Sequence, residues 1–189
     1  HSSVDNLAEL SETAEGVPIL TQLDNQASVT TIDVVAGYQL TDQLTINGSV
    51  EQYHYDNAFK SSYAIAPVSK RAGLELNWVG ESTEFNLSSV WFGERDLAEY
   101  GYLGFNIAGN LSSQKPIVGK SFTILNFKAK HNLTEHINLY FGASNLTDET
   151  QIGDGDSPLF YDEDGGYDVA YIYGPLHGRE YYLGFEYEL

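Results

Sequence analysis

From Gly178 to Leu189 the chain alternates without interruption. Tyr181, Leu183, Phe185, Tyr187 and Leu189 fall on one side, and Glu180, Tyr182, Gly184, Glu186 and Glu188 on the other. A period of two is the signature of a β-strand, whose successive side chains point to opposite faces. One face is apolar and aromatic, the other largely polar. Alternation alone leaves open which face is inside. A soluble sandwich turns its apolar face inward, whereas a transmembrane barrel turns it to lipid and lines its lumen with the polar one.

The connections separate these cases. Ile32, Val34, Ala36, Tyr38 and Leu40 share a face, then Thr41-Asp42-Gln43 turns the chain into Leu44, Ile46, Gly48 and Val50. A loop over residues 56–66 follows, with Pro67 read as the start of the next strand. There Ala72, Leu74, Leu76 and Trp78 run to the turn Val79-Gly80-Glu81-Ser82, and Phe85, Leu87, Ser89 and Trp91 lead back. After a long Gly-rich loop over residues 93–120, Phe122 to Leu133 and His136 to Asn145 flank a turn at Thr134-Glu135; the acidic loop 148–177 precedes the last strand. Short turns and longer loops therefore alternate strictly, which in an up-and-down sheet puts all short turns at one end. Outer-membrane barrels are built this way; Greek-key sandwiches have no reason to sort loops by length. The pattern predicts an all-β, antiparallel transmembrane β-barrel segment of about seven strands, each about ten residues long, enough for a tilted strand to cross a bilayer.

Composition narrows the partners. With 27 acidic against 9 basic residues the net charge is -18, which excludes a nucleic-acid binder because phosphates would go unneutralised. There is no cysteine, hence no disulfide or thiol chemistry, and no apolar run approaches the length of a membrane helix. The 14 tyrosines suit strands that meet an interface, since each joins an apolar ring to a wet hydroxyl. His1-Ser2-Ser3-Val4-Asp5 is not a signal peptide. No catalytic motif is present: no nucleophile elbow, no phosphate loop, no isolated carboxylate pair. An enzyme is not expected.

Three segments resemble the C-terminal part of TonB-dependent outer-membrane receptors. Phe141-Gly142-Ala143-Ser144-Asn145-Leu146-Thr147-Asp148 is similar to that family's motif at the end of the penultimate strand. Gly174-Pro175-Leu176-His177-Gly178-Arg179 is similar to its return into the last strand, and Ala66-Pro67-Val68-Ser69-Lys70-Arg71-Ala72 to a strand start further upstream. The resemblance covers residues 33–189. It implies the last strands of a barrel of about 22 strands, in a bacterial outer membrane, for uptake of a scarce solute such as a ferric siderophore, vitamin or oligosaccharide. It also implies the remainder of the barrel, a plug domain, an inner-membrane TonB-type energy complex and outer-membrane lipid as partners. Residues 1–26 are then an extracellular loop or fragment start, and residues 27–189 the C-terminal strands. The family usually ends in Phe; here Leu189 is last, so the barrel-insertion signature falls on Tyr181, Leu183, Phe185, Tyr187 and Leu189, with most weight on Phe185 and Tyr187.

The candidate sites lie in the last long loop. Asp154, Asp156, Asp162 and Asp164, with Glu163 and neighbouring glycines, offer oxygen ligands for calcium, though not at EF-hand spacing; a solvated acidic loop is the alternative. No other cofactor is expected. Tyr161, Tyr167, Tyr171 and Tyr173 would stack on a ligand, or else pack the loop against its neighbours. The histidines are too scattered for zinc. Glu51, Arg71, Glu75, Lys128 and Lys130 on the polar faces would line a lumen. Two rival architectures share the alternation. One is a complete barrel of about eight strands with Val17 to Leu20 supplying the extra strand, a pore or adhesin, but that strand is short and polar around Asp24-Asn25. The other is a soluble acidic carbohydrate-binding sandwich, which leaves the loop sorting unexplained.

Overall fold

The computed structural model describes residues 2–4, 8–12, 18–22, 27–62, 67–97, 118–153 and 172–188. The alternating segments are strands: β4 (Ala27–Gln39), β5 (Leu44–Tyr55), β6 (Lys70–Val79), β7 (Thr83–Phe92), β10 (Phe122–Asn132), β11 (Ile137–Ser144) and β12 (Glu180–Tyr187). The short pieces between and before them are β1 (Ser2–Val4), β2 (Ala8–Glu12), β3 (Pro18–Gln22), α1 (Asn57–Ser62), β8 (Arg95–Asp96) and β9 (Val118–Gly119).

One eight-stranded sheet has the order β1-β4-β5-β6-β7-β10-β11-β12, antiparallel throughout. The long strands thus meet in chain order, as an up-and-down meander. The turns over residues 40–43, 80–82 and 133–136 lie at one end and the longer connections at the other. Leu44 and Leu40 close the first turn (2.8 Å), as Leu133 and Ile137 close the last (2.8 Å).

The register keeps each face intact. Tyr38, Ile46, Leu76, Leu87, Phe127, Ala143 and Tyr181 form one row across the sheet. Tyr38 stands one residue from the short-turn end of β4, Leu76 three from that end of β6, and Ala143 six from that end of β11. Pairing therefore slips by about one residue per strand. A slip of about 3 Å against a strand spacing of about 4.8 Å inclines the strands by about 30–35°, close to the tilt a closed transmembrane barrel requires.

The apolar face is not a core. Leu183 is 81% exposed and Phe185 77%. The only apolar residues buried among those described are Ala27, Leu97, Ala143 and Tyr173. A soluble sandwich buries such a face against another sheet; β2-β3 and β8-β9 are two-stranded pieces too small to do so. An aromatic file instead runs along this open face, Trp78 on Phe85 (5.2 Å), Phe85 on Phe127 (6.1 Å) and Phe127 on Phe141 (6.1 Å). Such cross-strand ring pairs stabilise the sheet without a second layer.

One rival architecture and one local expectation fail. Val17 to Leu20 does not close an eight-stranded barrel: Pro18–Gln22 pairs with Ala8–Glu12 instead, and among the described residues β12 has β11 as its one neighbour. Pro67 does not begin a strand. β6 starts at Lys70, because Pro has no N–H to give a ladder and the Val68 carbonyl accepts the Tyr55 hydroxyl (2.9 Å).

Candidate functional site

The longer connections gather at the loop end of the sheet, where most of the buried residues lie. Asn145 and Asp148, just past β11, both adopt left-handed backbone, φ 51° and 58°. Asn and Asp tolerate this conformation better than most residues. The left-handed turn lets the Asn145 amide reach in two directions: Nδ2 donates to the Glu149 carbonyl (2.8 Å) and the His177 carbonyl (3.1 Å). Its Oδ1 accepts from the Glu149 N–H (3.0 Å) and the Thr147 hydroxyl (3.1 Å). Asp148 Oδ1 accepts the Arg179 N–H (2.8 Å), and Leu146 N–H returns to the Leu125 carbonyl (2.7 Å). The Asn-Leu-Thr-Asp segment is thus a clip. It fastens the outgoing and incoming ends of the last long connection to each other and to β10.

A second layer sits above the clip. Gln151, 2% exposed, accepts the backbone N–H groups of Tyr173 (3.0 Å) and Gly174 (3.1 Å) on Oε1, and its own N–H reaches the Pro175 carbonyl (2.9 Å). Tyr173 is buried and lies so close to Gly119 that a Cβ there would stand 3.0 Å from its ring. Arg95 places its guanidinium 5.7 Å from the Phe122 ring centroid and 6.0 Å from that of Tyr173. Burial lowers the Arg95 pKa.

Asp56 organises the connection after β5. Its Oδ1 accepts the Phe59 N–H (2.7 Å), capping α1, and its Oδ2 accepts from Ser28 N (2.8 Å) and Oγ (2.7 Å), tying the helix to β4. Those bonds, the Phe59 N–H first and the Ser28 hydroxyl next, hold its pKa below the ordinary value. An N-cap Asp directly before Asn57 is a sequence signal for a helix start. The expectation of a plain loop there overlooked it.

The polar face carries a satisfied network. Arg71 and Glu51, register partners, form an ion pair at 2.8 Å, and the Tyr53 hydroxyl donates to the same carboxylate. Asn86 donates to Glu75 (2.6 Å) and Asn77 (2.7 Å); Asn138 and Tyr140 donate to Glu186. Lys130 lies over the Tyr140 ring at 5.8 Å. These contacts join neighbouring strands and present a wet, hydrogen-bonding wall.

Of the residues singled out from sequence, Tyr173 packs the base of its loop, and Tyr181, Leu183, Phe185 and Tyr187 form the exposed apolar side of β12. Tyr161, Tyr167, Tyr171, Asp154, Asp156, Asp162, Asp164 and Leu189 lie outside the described residues. Among the described residues no group of three or more His, Asp or Glu could hold a metal ion.

No family model and no curated protein matches the sequence. Solved structures match closely in fold. The copper transporter OprC superposes with a TM-score of 0.61 at 16% identity, over 98% of this chain and 26% of its own. A mutant of the ferric enterobactin receptor PfeA from Pseudomonas aeruginosa gives 0.65 at 13%, over 97% and 27%. The siderophore receptor PirA from Acinetobacter baumannii gives 0.57 at 14%, over 98% and 26%. An antiparallel meander with tilted strands, an open apolar face and loops sorted to one end is an arc of a β-barrel of the outer-membrane type. More particularly, it matches a part of the TonB-dependent receptor barrel, and the chain spans about a quarter of the length of the receptors it matches.

Proposed function

We propose that this chain is the C-terminal arc of a TonB-dependent outer-membrane receptor, a transporter rather than an enzyme. Its apolar face meets lipid and its polar face, from Glu51 and Arg71 to Glu186, looks into the lumen. The connections over residues 56–66, 93–120 and 148–177 form part of the mouth through which a scarce solute enters, a metal chelate, vitamin or oligosaccharide. The remaining strands close the sheet at β12 and along β4, of which β1 covers only Ala27 to Val29, a plug fills the lumen, and an inner-membrane TonB-type complex supplies energy. The observation that carries this reading is the superposition of nearly the whole chain on part of receptor barrels, and the sheet's own strand order, tilt and loop sorting support it. Unsatisfied strand edges do not persist in lipid, so the arc requires the rest of its barrel.

The test is the intact mass of the membrane-extracted protein, with peptide mapping on both sides of the sequence. A species several times larger than 20.9 kDa, or a co-purifying second piece, is expected. A folded, detergent-dependent species of 20.9 kDa would overturn the arc.

A further inference from the structure

Arg95 follows β7 at the loop end and packs against aromatic rings. Its guanidinium carbon lies 5.7 Å from the Phe122 ring centroid and 6.0 Å from that of Tyr173, within cation-π range of both. The rings offer the guanidinium no hydrogen-bond acceptor. Nη1 is buried and has no hydrogen-bond partner, the one such side-chain atom among the described residues. No carboxylate of the described residues forms an ion pair with it. Asp96, the next residue, has interactions of its own, and the Glu51 carboxylate is held by Arg71 and Tyr53. A guanidinium has donors only, and a buried cation without an opposing charge is strongly unfavourable. Arg95 also lines a cavity of about 190 Å³, together with Tyr53, His54, Tyr55, Lys60 and Asp96. The Tyr55 hydroxyl is given to Val68, and among the described residues Arg95 carries the buried side-chain donor without an acceptor.

We propose that Arg95 is an anion-binding residue whose free edge receives an oxyanion, a carboxylate or phosphate group, carried by the solute that enters at the loop end. The planar fork of the guanidinium matches two oxygens of such a group, and the two neighbouring rings restrict its movement. The anion site stands on the geometry alone; that the anion belongs to a transported solute rests on the receptor reading. A carboxylate from elsewhere in the same receptor is the other source of the same chemistry, and the experiment separates the two.

Thermal unfolding of the full-length, detergent-extracted protein is measured against phosphate and citrate, with chloride at matched ionic strength as control, for the wild type, Arg95→Lys and Arg95→Gln. A saturable rise in Tm of several degrees is expected for the wild type, a smaller one for Arg95→Lys and none for Arg95→Gln. Two results overturn the proposal. In the first, Arg95→Gln responds to the anions as the wild type does, which makes Arg95 a buried cation only. In the second, the wild type ignores both anions while Arg95→Gln is destabilised without them, which assigns the edge to a carboxylate of the protein. Failure of the receptor reading is told apart by the preparation itself: a protein that stays soluble without detergent overturns that reading, while the anion titration still reads Arg95.

Discussion

Tyr182 lays its ring over Gly142, its register partner on the neighbouring strand, so closely that a Cβ at residue 142 would overlap the phenol ring. The glycine makes room and the ring covers the backbone it exposes, an arrangement known to compensate glycine in strands. Gly142→Ala forces Tyr182 off this position and should cost about 1–3 kcal/mol, the range for overpacking. Removing the ring as well, in Gly142→Ala/Tyr182→Ala, should recover part of that loss, giving a non-additive double-mutant cycle in denaturant unfolding. Additive losses would refute the contact.

The clip at Asn145 predicts a different pattern. Asn145→Ala removes the amide bonds to the Glu149 and His177 carbonyls and leaves a left-handed φ of 51° without a residue that tolerates it. Its cost should be about 2–4 kcal/mol, combining lost hydrogen bonds at a buried site with backbone strain. Asn145→Gly relieves the strain alone and should be milder by about 1 kcal/mol. Equal losses in the two variants, measured by thermal unfolding, would show that the conformation contributes nothing.

Asp56 gives a pH dependence whose sign follows from its lowered pKa. A carboxyl that ionises more readily when folded adds stability only while ionised. The contribution is complete above the ordinary value near 3.8 and vanishes as pH falls through the lowered one. Because the group is half-buried and its partners are confined to α1 and the start of β4, the effect is local. Hydrogen exchange at the Phe59 amide should therefore quicken, beyond its intrinsic pH trend, only on acidification below about pH 4. Asp56→Asn should lose that step.

The strands were legible because their error tolerance is small. Shifting Phe122 to Leu133 or His136 to Asn145 by one residue would exchange the two faces, so the observed Phe122–Asn132 and Ile137–Ser144 differ from the reading only at the ends. The loop sorting was legible for the same reason. Proximity across the chain was not. Residues 95, 122 and 173 share no motif, and only the fold brings the Arg95 guanidinium beside both rings. Similarly, β1 is three residues with no periodicity of its own, recognisable only by its pairing with β4. The Asp56 cap stands between these cases, a signal present in the sequence that the expectation of a loop passed over.

Leu183 decides which way the sheet faces. It lies mid-strand on β12 opposite Phe141, 81% exposed, with apolar or aromatic residues at every second position around it. On the surface of a soluble protein an exposed Leu→Arg change is nearly neutral. On the lipid face of a barrel the same charge near the bilayer midplane costs about 2–4 kcal/mol. A polar-face position supplies the control. Ser49, on the opposite face and paired with Gly73, should accept Arg at little cost, because that wall is wet and already carries Glu51 and Arg71. Folding of the full-length protein into lipid vesicles, followed by denaturant titration, should therefore rank Leu183→Arg well below Ser49→Arg. The reverse order would turn the sheet over, making the apolar face the inner one and the hydrogen-bonded network of Glu75, Asn77 and Asn86 the outer.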